Sequence, residues 1–553
     1  MYLSRKGRLP IMRTKFNNLK DTVIISGIDD WDANRNELED WQSRKIFNEN
    51  LQALTGAMFF LSPKTESGPA VLKNNDIPSY VFPETLHCPI CKKLINYREA
   101  LNTGKPNRCF LNDQNGKPCR GRLIASRFVV CCENGHLEDF PYSWWVHKNE
   151  KCKSGNGSPR MSMFNLTGRN DLESLFIKCE ECGILKNIAS AFSENAFAGE
   201  NGFPCSCNHP HIRDKRIGTD IKCDKTLKTR LRTASGVYFP VNCNALLIPP
   251  WSESAVQIVE REYEVLQCMD RDGIIRYLRG KTNSKVLSKG DVQDADKYSA
   301  TSGTVPIGFE RYFNAVTIVD KLTVTQALRG FTRLLPWNGS NNVVPLSAHR
   351  KDWLPAVQQN GEGLFFRFNE NTLREWESGT SGRYDEMRYS FTKSLYRDAN
   401  PRFSPRYVAL HTFAHLLIRQ ISNECGYSLS SLREKIYCTF DGYDCIMGGA
   451  LIYLASSDAD GSLGGLISIA ETTERLRSVL ECMLQKTQWC SADPLCISSM
   501  KQGYLSLNYA ACHDCVLLPE TSCEFRNVLL DRASVVGMPG DTSVGLFGEC
   551  LKK

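Results

Sequence analysis

Two stretches near the end of the chain decide its reading: WCSADPLC at 489–496 and NYAACHDCVLLPETSCEFRNVLLDR at 508–532. Five cysteines, Cys490, Cys496, Cys512, Cys515 and Cys523, fall within 34 residues. Cys512 and Cys515 form a C-x-x-C knuckle, a tight turn that puts two thiolates on one side of a tetrahedral metal. Two more thiolates must close such a site, and Cys523 and Cys496 (or Cys490) are available. The alternative is a set of buried, reduced cysteines acting as small hydrophobes.

Working outward, the chain has 553 residues, length enough for three or four domains. It is 42% hydrophobic and 23% charged, ordinary for a soluble globular protein. The net charge of +7 permits a nucleic-acid partner without demanding one. MYLSRKGRLP has no apolar h-region, and no apolar run is long enough to span a bilayer. These features predict a cytoplasmic protein without a membrane partner. In a reducing compartment, 24 cysteines read as metal ligands before disulfides.

Further metal candidates lie in the first half. HCPIC supplies Cys88 and Cys91, followed by Cys109 and Cys119, which is zinc-ribbon logic. KCEECG supplies Cys179 and Cys182, with Cys205 (or Cys207) and Cys223 to close that set. Between them stand Cys132, His136, His147 and Cys152, whose irregular spacing, with Trp144 and Trp145 inside it, favours a packed core turn. Structural zinc at about three sites is the expectation. Lys225, Lys228, Arg230 and Arg232 could contact phosphates, although closely spaced basic residues are also an ordinary solvated face.

The pattern predicts an α+β multidomain chain. Residues 1–85 form a mixed opening segment, 86–234 a cysteine-rich zinc-binding region with ribbon-like modules, 235–404 a central α/β domain, and 405–553 a C-terminal α/β zinc-binding domain. Strands are expected at 23–27, 128–131, 237–241, 363–368 and 450–455. Helices are expected at 34–54, in 252–300, at 309–330, at 374–402, from Tyr407 to Gly426 and at 467–486. Residues 62–76 and 291–303 read as loops. His411 and His415 share a helix face. No glutamate follows His411 directly, so this is not H-E-x-x-H, and the pair is expected to pack against the glycine-rich SLGGL segment.

Catalytic signatures fail on inspection. RGKT at 279–282 lacks the glycine a P-loop needs five residues before its Gly-Lys pair. HLE at 136–138 is followed by P-C-x-C and not by the P-C-x-x-C of zinc deaminases. No G-x-S-x-G elbow is present. The expectation is a protein that is not an enzyme. A metal-dependent hydrolase or nuclease using Cys132, His136, His147 and Cys152 with an open coordination position is the alternative, and a protein scaffold that does not touch nucleic acid is a third reading.

ACHDC and SCEFRNVLLDR resemble the helicase-associated zinc-binding domain fused to MrfA-type superfamily 2 helicases, through Cys512, Cys515, Cys523, Asn527, Leu530, Asp531 and Arg532. His513 stands where that pattern has proline. Over most of the chain, RFVVCCENGHLEDFPYSWWVH, GVYFPVNCNALLIPPW, LRGFTRLLPW, GEGLFFRF, the AHLL helix, SLGGL and AACHDCVLLPETSCE together resemble the B-subunit family of the DISARM anti-phage defence system (DrmB). That resemblance implies a non-ATPase subunit partnering a DrmA-like helicase, in a complex that engages phage DNA, in single-stranded or overhang-containing form. Set beside the family, the zinc candidates are Cys88, Cys91, Cys109 and Cys119; Cys179, Cys182, Cys205 and Cys223; and the C-terminal set.

Overall fold

The computed structural model describes residues 12–14, 22–34, 42, 44–63, 77–113, 116–148, 152, 159–166, 168–169, 171–199, 202–212, 222–246, 263, 266, 298–337, 342–394, 396–397, 403–438, 440–441, 444–445, 447–454, 464–503, 506–519 and 521–551. The fold is mixed α/β and multidomain. Its two compact units are Met1–Ile46 with Ala57–Cys243 and Ala327–Ala356, and Phe47–Gly56 with Asn244–Gln326 and Val357–Lys553. Among the described residues, no helix is long and apolar enough to cross a membrane.

The first unit is built from short strands. β1 (Met12–Thr14) and β2 (Val23–Ile25) flank β5 (Ile77–Val81), and a small β3–β4 pair (Lys45–Ile46, Phe59–Leu61) lies between them in sequence. A second sheet takes β6 (Thr85–His87), β7 (Leu94–Asn96) and β8 (Ile124–Ala125) in the order β7-β6-β8. The hairpin β9 (Phe128–Cys131) and β10 (Leu137–Asp139) leads through helix α1 (Tyr142–His147) to a third sheet, β11 (Met161–Asn165), β12 (Leu175–Cys179) and β13 (Leu185–Asn187). β14 (Lys228–Leu231) then pairs antiparallel with β9.

Several of these strands share a buried apolar cluster that includes Phe128, Trp145, Met163 and Ile177, and polar ties also join them. Asp139 on β10 accepts from Glu84 N (3.0 Å), Thr85 N (2.7 Å) and Thr85 Oγ1 (2.7 Å). Met163 N donates to Lys92 O at 2.9 Å, linking β11 to the turn after β6. Arg333, 2% exposed, reaches the carbonyls of Gly135 and Val237. Gly135 has φ 82°, and a Cβ there would lie 1.9 Å from Val344. The hairpin turn therefore needs glycine for both conformation and space.

The second unit centres on α4, which runs from Pro405 to Cys425. Ser404 caps it by accepting from Tyr407 N (3.0 Å), Pro405 stands in the first turn, and Gly426 closes it in the left-handed conformation. Nearly every residue from Arg406 to Ile421 is buried, so this helix is interior on all faces. It packs on the sheet ordered β15-β17-β18-β22-β19, with β16 beside β17. These strands are Phe239–Leu246, Phe313–Thr332, Trp353–Phe368, Gly449–Leu454, Leu432–Tyr437 and Ser299–Gly303 respectively, and Phe440–Asp441 with Asp444–Cys445 (β20, β21) form a small hairpin. Before α4 stand α2 (Glu370–Thr380) and α3 (Asp385–Lys393). After the sheet come α5 (Gly465–Ala470) and α6 (Thr473–Thr487).

Several expectations are corrected. The stretch expected as a helix at 309–330 is the 20-residue strand β17. Its apolar spacing suited a helix, but Val316, Thr317, Ile318, Val319, Thr323, Val324 and Thr325 are β-branched, and their stiff side chains suit a pleated sheet. The helix expected across 34–54 is replaced, where described, by a 3-10 turn (Ile28–Asn34), strand β3 and the short helix Glu49–Thr55. The loop expected up to 303 ends in strand β16, and the strand expected from 237 begins at Phe239. The helix expected at 467–486 is two, because extended Thr472 breaks it and caps the second by accepting from Arg475 N. Most of 252–300 and of 62–76 lies outside the described residues.

Two outcomes follow from this packing. Phe413 on α4 is fully buried, with ring centroids 5.2–5.8 Å from those of Phe313, Phe366, Phe368 and Phe547. Phe413→Ala should cost about 3–5 kcal/mol in chemical denaturation, and Phe413→Leu clearly less. His211 in the first unit is buried, which pushes its pKa down to about 4. The unfolded chain therefore binds a proton that the folded chain refuses. Stability should fall as pH drops below the unfolded value of ~6.5, by up to about 1.4 kcal/mol per unit until about pH 4. Denaturation at pH 7 and pH 5 should show a smaller pH slope in His211→Asn.

Candidate metal centres

Four groups of sulfur and imidazole donors stand out, and within each the donor atoms lie within 4.8 Å of one another. The first is Cys88, Cys91, Cys109 and Cys119. Strand β6 delivers Cys88 to a knuckle closed by Lys92 N donating to Cys88 O (2.9 Å), with Lys92 at φ 64°. Sulfur separations are 3.5 Å for Cys88–Cys119 and 3.7 Å for Cys91–Cys109. A Cβ on Gly121 would lie 2.8 Å from Cys88 Sγ, so glycine is what lets the second loop close on the knuckle.

The set Cys179, Cys182, Cys205 and Cys223 is not brought together. Its members divide between two groups, and each pair is completed by residues of the irregular 132–152 stretch. Cys205 and Cys223 meet Cys132 and His136. The β9–β10 turn presents Cys132 Sγ 3.2 Å from His136 Nδ1, and Cys205 Sγ lies 3.3 Å from the same nitrogen. Cys132–Cys223 and Cys132–Cys205 separations are 3.8 and 3.9 Å. Cys179 and Cys182, in the knuckle between β12 and β13, meet His147 and Cys152. His147 donates from Nδ1 to Ser143 O (2.7 Å), which leaves the Nε2 lone pair facing Cys182 Sγ at 3.3 Å. The reason for the regrouping is spatial: hairpin and helix α1 carry donors that sequence distance separates. Cys207 joins neither group. The hydrolase candidates Cys132, His136, His147 and Cys152 likewise belong to two groups, each with four protein donors.

In the second unit, Cys490, Cys496, Cys512 and Cys515 converge. Both Cys490 and Cys496 take part, at 3.5 Å from Cys512 and 3.7 Å from Cys515 respectively. The knuckle pair itself is 3.5 Å apart, with Cys512 N donating to Cys515 Sγ at 3.4 Å. Asp493 accepts from Cys490 N (2.7 Å) and pairs with buried Arg532 at 2.5 Å. Its neighbour Asp531 binds Arg383 (2.9 Å) and the Tyr384 hydroxyl (3.1 Å). Asn527 exchanges two hydrogen bonds with the Leu518 backbone, at 2.8 and 2.9 Å. The N-x-x-L-D-R residues thus act as framework around the cluster. Cys523 is not in it; it lies beside His411, His415 and Glu434. Of the SLGGL segment, on which the histidine pair is expected to pack, Ser462 and Leu463 lie outside the described residues. Gly465 opens α5, whose first amides at Gly464 and Leu466 donate to buried Glu362.

The separations have a physical meaning. A disulfide would need about 2.05 Å. A tetrahedron with zinc–sulfur bonds of about 2.3 Å has edges of roughly 3.8 Å, close to the 3.5–3.9 Å seen. Burial pushes Cys496 up to about 11 and Cys179 up to about 12, so neither thiol ionises at neutral pH unaided. Cys132 is pulled down to about 4, first by the hydrogen bond from Cys205 and then by His136, against burial. Each cluster could hold a metal ion, and a cation would replace the protons these thiols otherwise keep.

The basic residues line the β14 strand and its flanks. Lys225 is exposed, Lys228 pairs with Glu133 at 3.7 Å, Arg230 donates to Thr229 O at 2.8 Å, and Arg232 donates to Thr22 Oγ1 at 2.6 Å.

Residues 10–239 match a family described as a domain of unknown function (DUF8724). The chain is 28% identical over 585 residues to the DISARM protein DrmB of Bacillus paralicheniformis, covering 94% of this chain and 97% of that one. A solved structure described as the DUF1998 helicase MrfA bound to DNA aligns at 8% identity, covering 42% of this chain and 24% of that one, with a TM-score of 0.18, too low to carry an argument.

Gly121→Ala should crowd Cys88 Sγ and lower metal retention at the first cluster. Elemental analysis after dialysis against a chelator should show roughly one equivalent less than the unmodified chain, and Cys512→Ser should remove one equivalent from the C-terminal cluster. Unchanged metal content in both would argue against metal at these positions.

Proposed function

We propose that this chain is a non-catalytic, zinc-stapled subunit of a DISARM-type anti-phage defence complex, pairing with a superfamily 2 helicase subunit and helping it engage phage DNA. The observation that carries the reading is the likeness to a DISARM DrmB protein along nearly the whole of both chains. Donor chemistry supports zinc: soft thiolates with imidazole, four protein donors per cluster, at tetrahedral spacing. A metal-dependent hydrolase needs an open coordination position, and clusters with four protein donors favour a structural role.

The helicase is expected to supply ATP hydrolysis, and this chain to supply rigid surfaces. DNA binding through Lys225, Lys228, Arg230 and Arg232 would be made to phosphates and would weaken with salt. Lys228 would exchange its Glu133 partner for a phosphate, which reduces its contribution.

The test is co-purification of the full chain with its helicase subunit, followed by binding to single-stranded and overhang-containing DNA over a salt series. Replacing all four basic residues with alanine should weaken binding and lower the salt slope by about 1 for each phosphate that is no longer neutralised. An unchanged slope would place the DNA path elsewhere. Absence of both a helicase complex and DNA affinity would leave the scaffold reading. Zinc is tested separately, by the identity of the metal released on denaturation.

A further inference from the structure

Beyond the four sulfur-rich clusters, the core of the second unit holds a group of a different kind. Helix α4 places His411 and His415 four residues apart on one face, with ring centroids 4.6 Å apart. Glu434 on β19 and Cys523 in the C-terminal segment complete it. His411 Nε2 lies 2.9 Å from Glu434 Oε1 and 3.2 Å from Cys523 Sγ, and His415 Nε2 lies 3.2 Å from Glu434 Oε1. The residues are 0%, 0%, 2% and 7% exposed in the order His411, His415, Glu434, Cys523.

The hydrogen bonding around this group points inward. His415 Nδ1 is 3.0 Å from the Val516 carbonyl, which can only accept. That nitrogen therefore carries the hydrogen, and in a neutral ring Nε2 aims a lone pair at a carboxylate oxygen. Two acceptors at 3.2 Å need a cation or an extra proton between them. Cys523 Sγ accepts from two backbone amides, Asn527 N at 3.1 Å and Phe525 N at 3.3 Å. Paired amides on one sulfur are what a thiolate requires. Glu434 Oε2 is buried with no hydrogen-bond partner among the described residues.

Two arrangements leave no net charge buried: one proton on His415 beside the carboxylate and a neutral thiol, or two neutral imidazoles, a carboxylate and a thiolate around a divalent cation. Either avoids the several kcal/mol that a buried uncompensated charge costs. The proton alone leaves Glu434 Oε2 without a partner among the described residues and sets two amides on a neutral thiol. The cation can take that oxygen and gives the amides a thiolate, so it is favoured.

We infer that His411, His415, Glu434 and Cys523 form a fifth metal site, binding one divalent transition-metal ion in a closed shell of two nitrogens, one oxygen and one sulfur. That donor set is borderline in softness and suits zinc or its neighbours better than calcium or magnesium. With four protein donors, all buried, the site is structural. It fastens α4, β19 and the C-terminal segment at one point in the core.

The full-length protein, purified with zinc in the medium, should contain five metal equivalents per chain. Glu434→Gln and Cys523→Ser should each contain four, with the sulfur-rich clusters intact. Four equivalents in the unmodified chain, unchanged by Glu434→Gln, would overturn the inference. Where these variants fail to fold, crystals of the unmodified protein decide alone. An anomalous-difference peak at the zinc edge among the four donors is expected; peaks at the four sulfur-rich clusters with none here would sink the site.

Discussion

Thiolates cannot be held a tetrahedron's edge apart in a protein interior unless something positive sits among them. Four clusters in this chain impose that condition, with sulfur atoms 3.5–3.9 Å apart in partly or wholly buried places. Without a cation the sulfurs keep their protons or share them unequally, as Cys132 and Cys205 do. In the first unit the clusters sit among strands of two to five residues that also share an apolar core around Phe128, Trp145 and Ile177. Coordination free energy is then folding free energy. The hydrogen bonds of Asp139 and Arg333 align the small sheets, but the donors hold the turns that the sheets converge on.

The second unit is held differently. Its helix α4 lies inside a large aromatic and aliphatic core, and its polar residues are paired. Arg406, 1% exposed, forms ion pairs with Glu370 and Glu377 at 2.7 Å each. Asp531 and Arg532, side by side in sequence, send their charges to different partners, Arg383 and Asp493. Through Asp493, whose oxygen accepts from Cys490 N, the same network reaches the C-terminal cluster. The core network and the C-terminal donor cluster therefore share residues here.

Legibility in the sequence followed how local each signal was. The first cluster and the 512–515 knuckle were readable because two donors sit three residues apart on a turn. Helix α4 was readable from its apolar run and from Gly426 at its end. The pairing of Cys205 and Cys223 with Cys132 and His136 was not, since it brings together residues 69 to 91 positions apart in the chain. Cys523 was assigned to its neighbours in sequence, although its sulfur faces a helix a hundred residues earlier. Strand β17 was misread because buried residues at 316, 319 and 322 imitate a helical stripe. Its β-branched content was the signal that could have corrected it.

The ligands of the second and third clusters are nested along the chain. Cys132 and His136 come first, then His147, Cys152, Cys179 and Cys182 of the other cluster, then Cys205 and Cys223. An unfolded chain meets this arrangement in the wrong order. Among the six thiols of these two clusters, Cys179, Cys182, Cys205 and Cys223 are the four closest together in sequence, and loop closure favours short separations. Metal offered before the β9–β10 hairpin has formed can be captured by that non-native quartet, with both histidines left out. A metal ion held by the native clusters would then meet a kinetic trap, since it would stabilise a competitor as well as the native state. Synthesis from the N-terminus works against the trap, because the hairpin carrying Cys132 and His136 emerges before the competing thiols do.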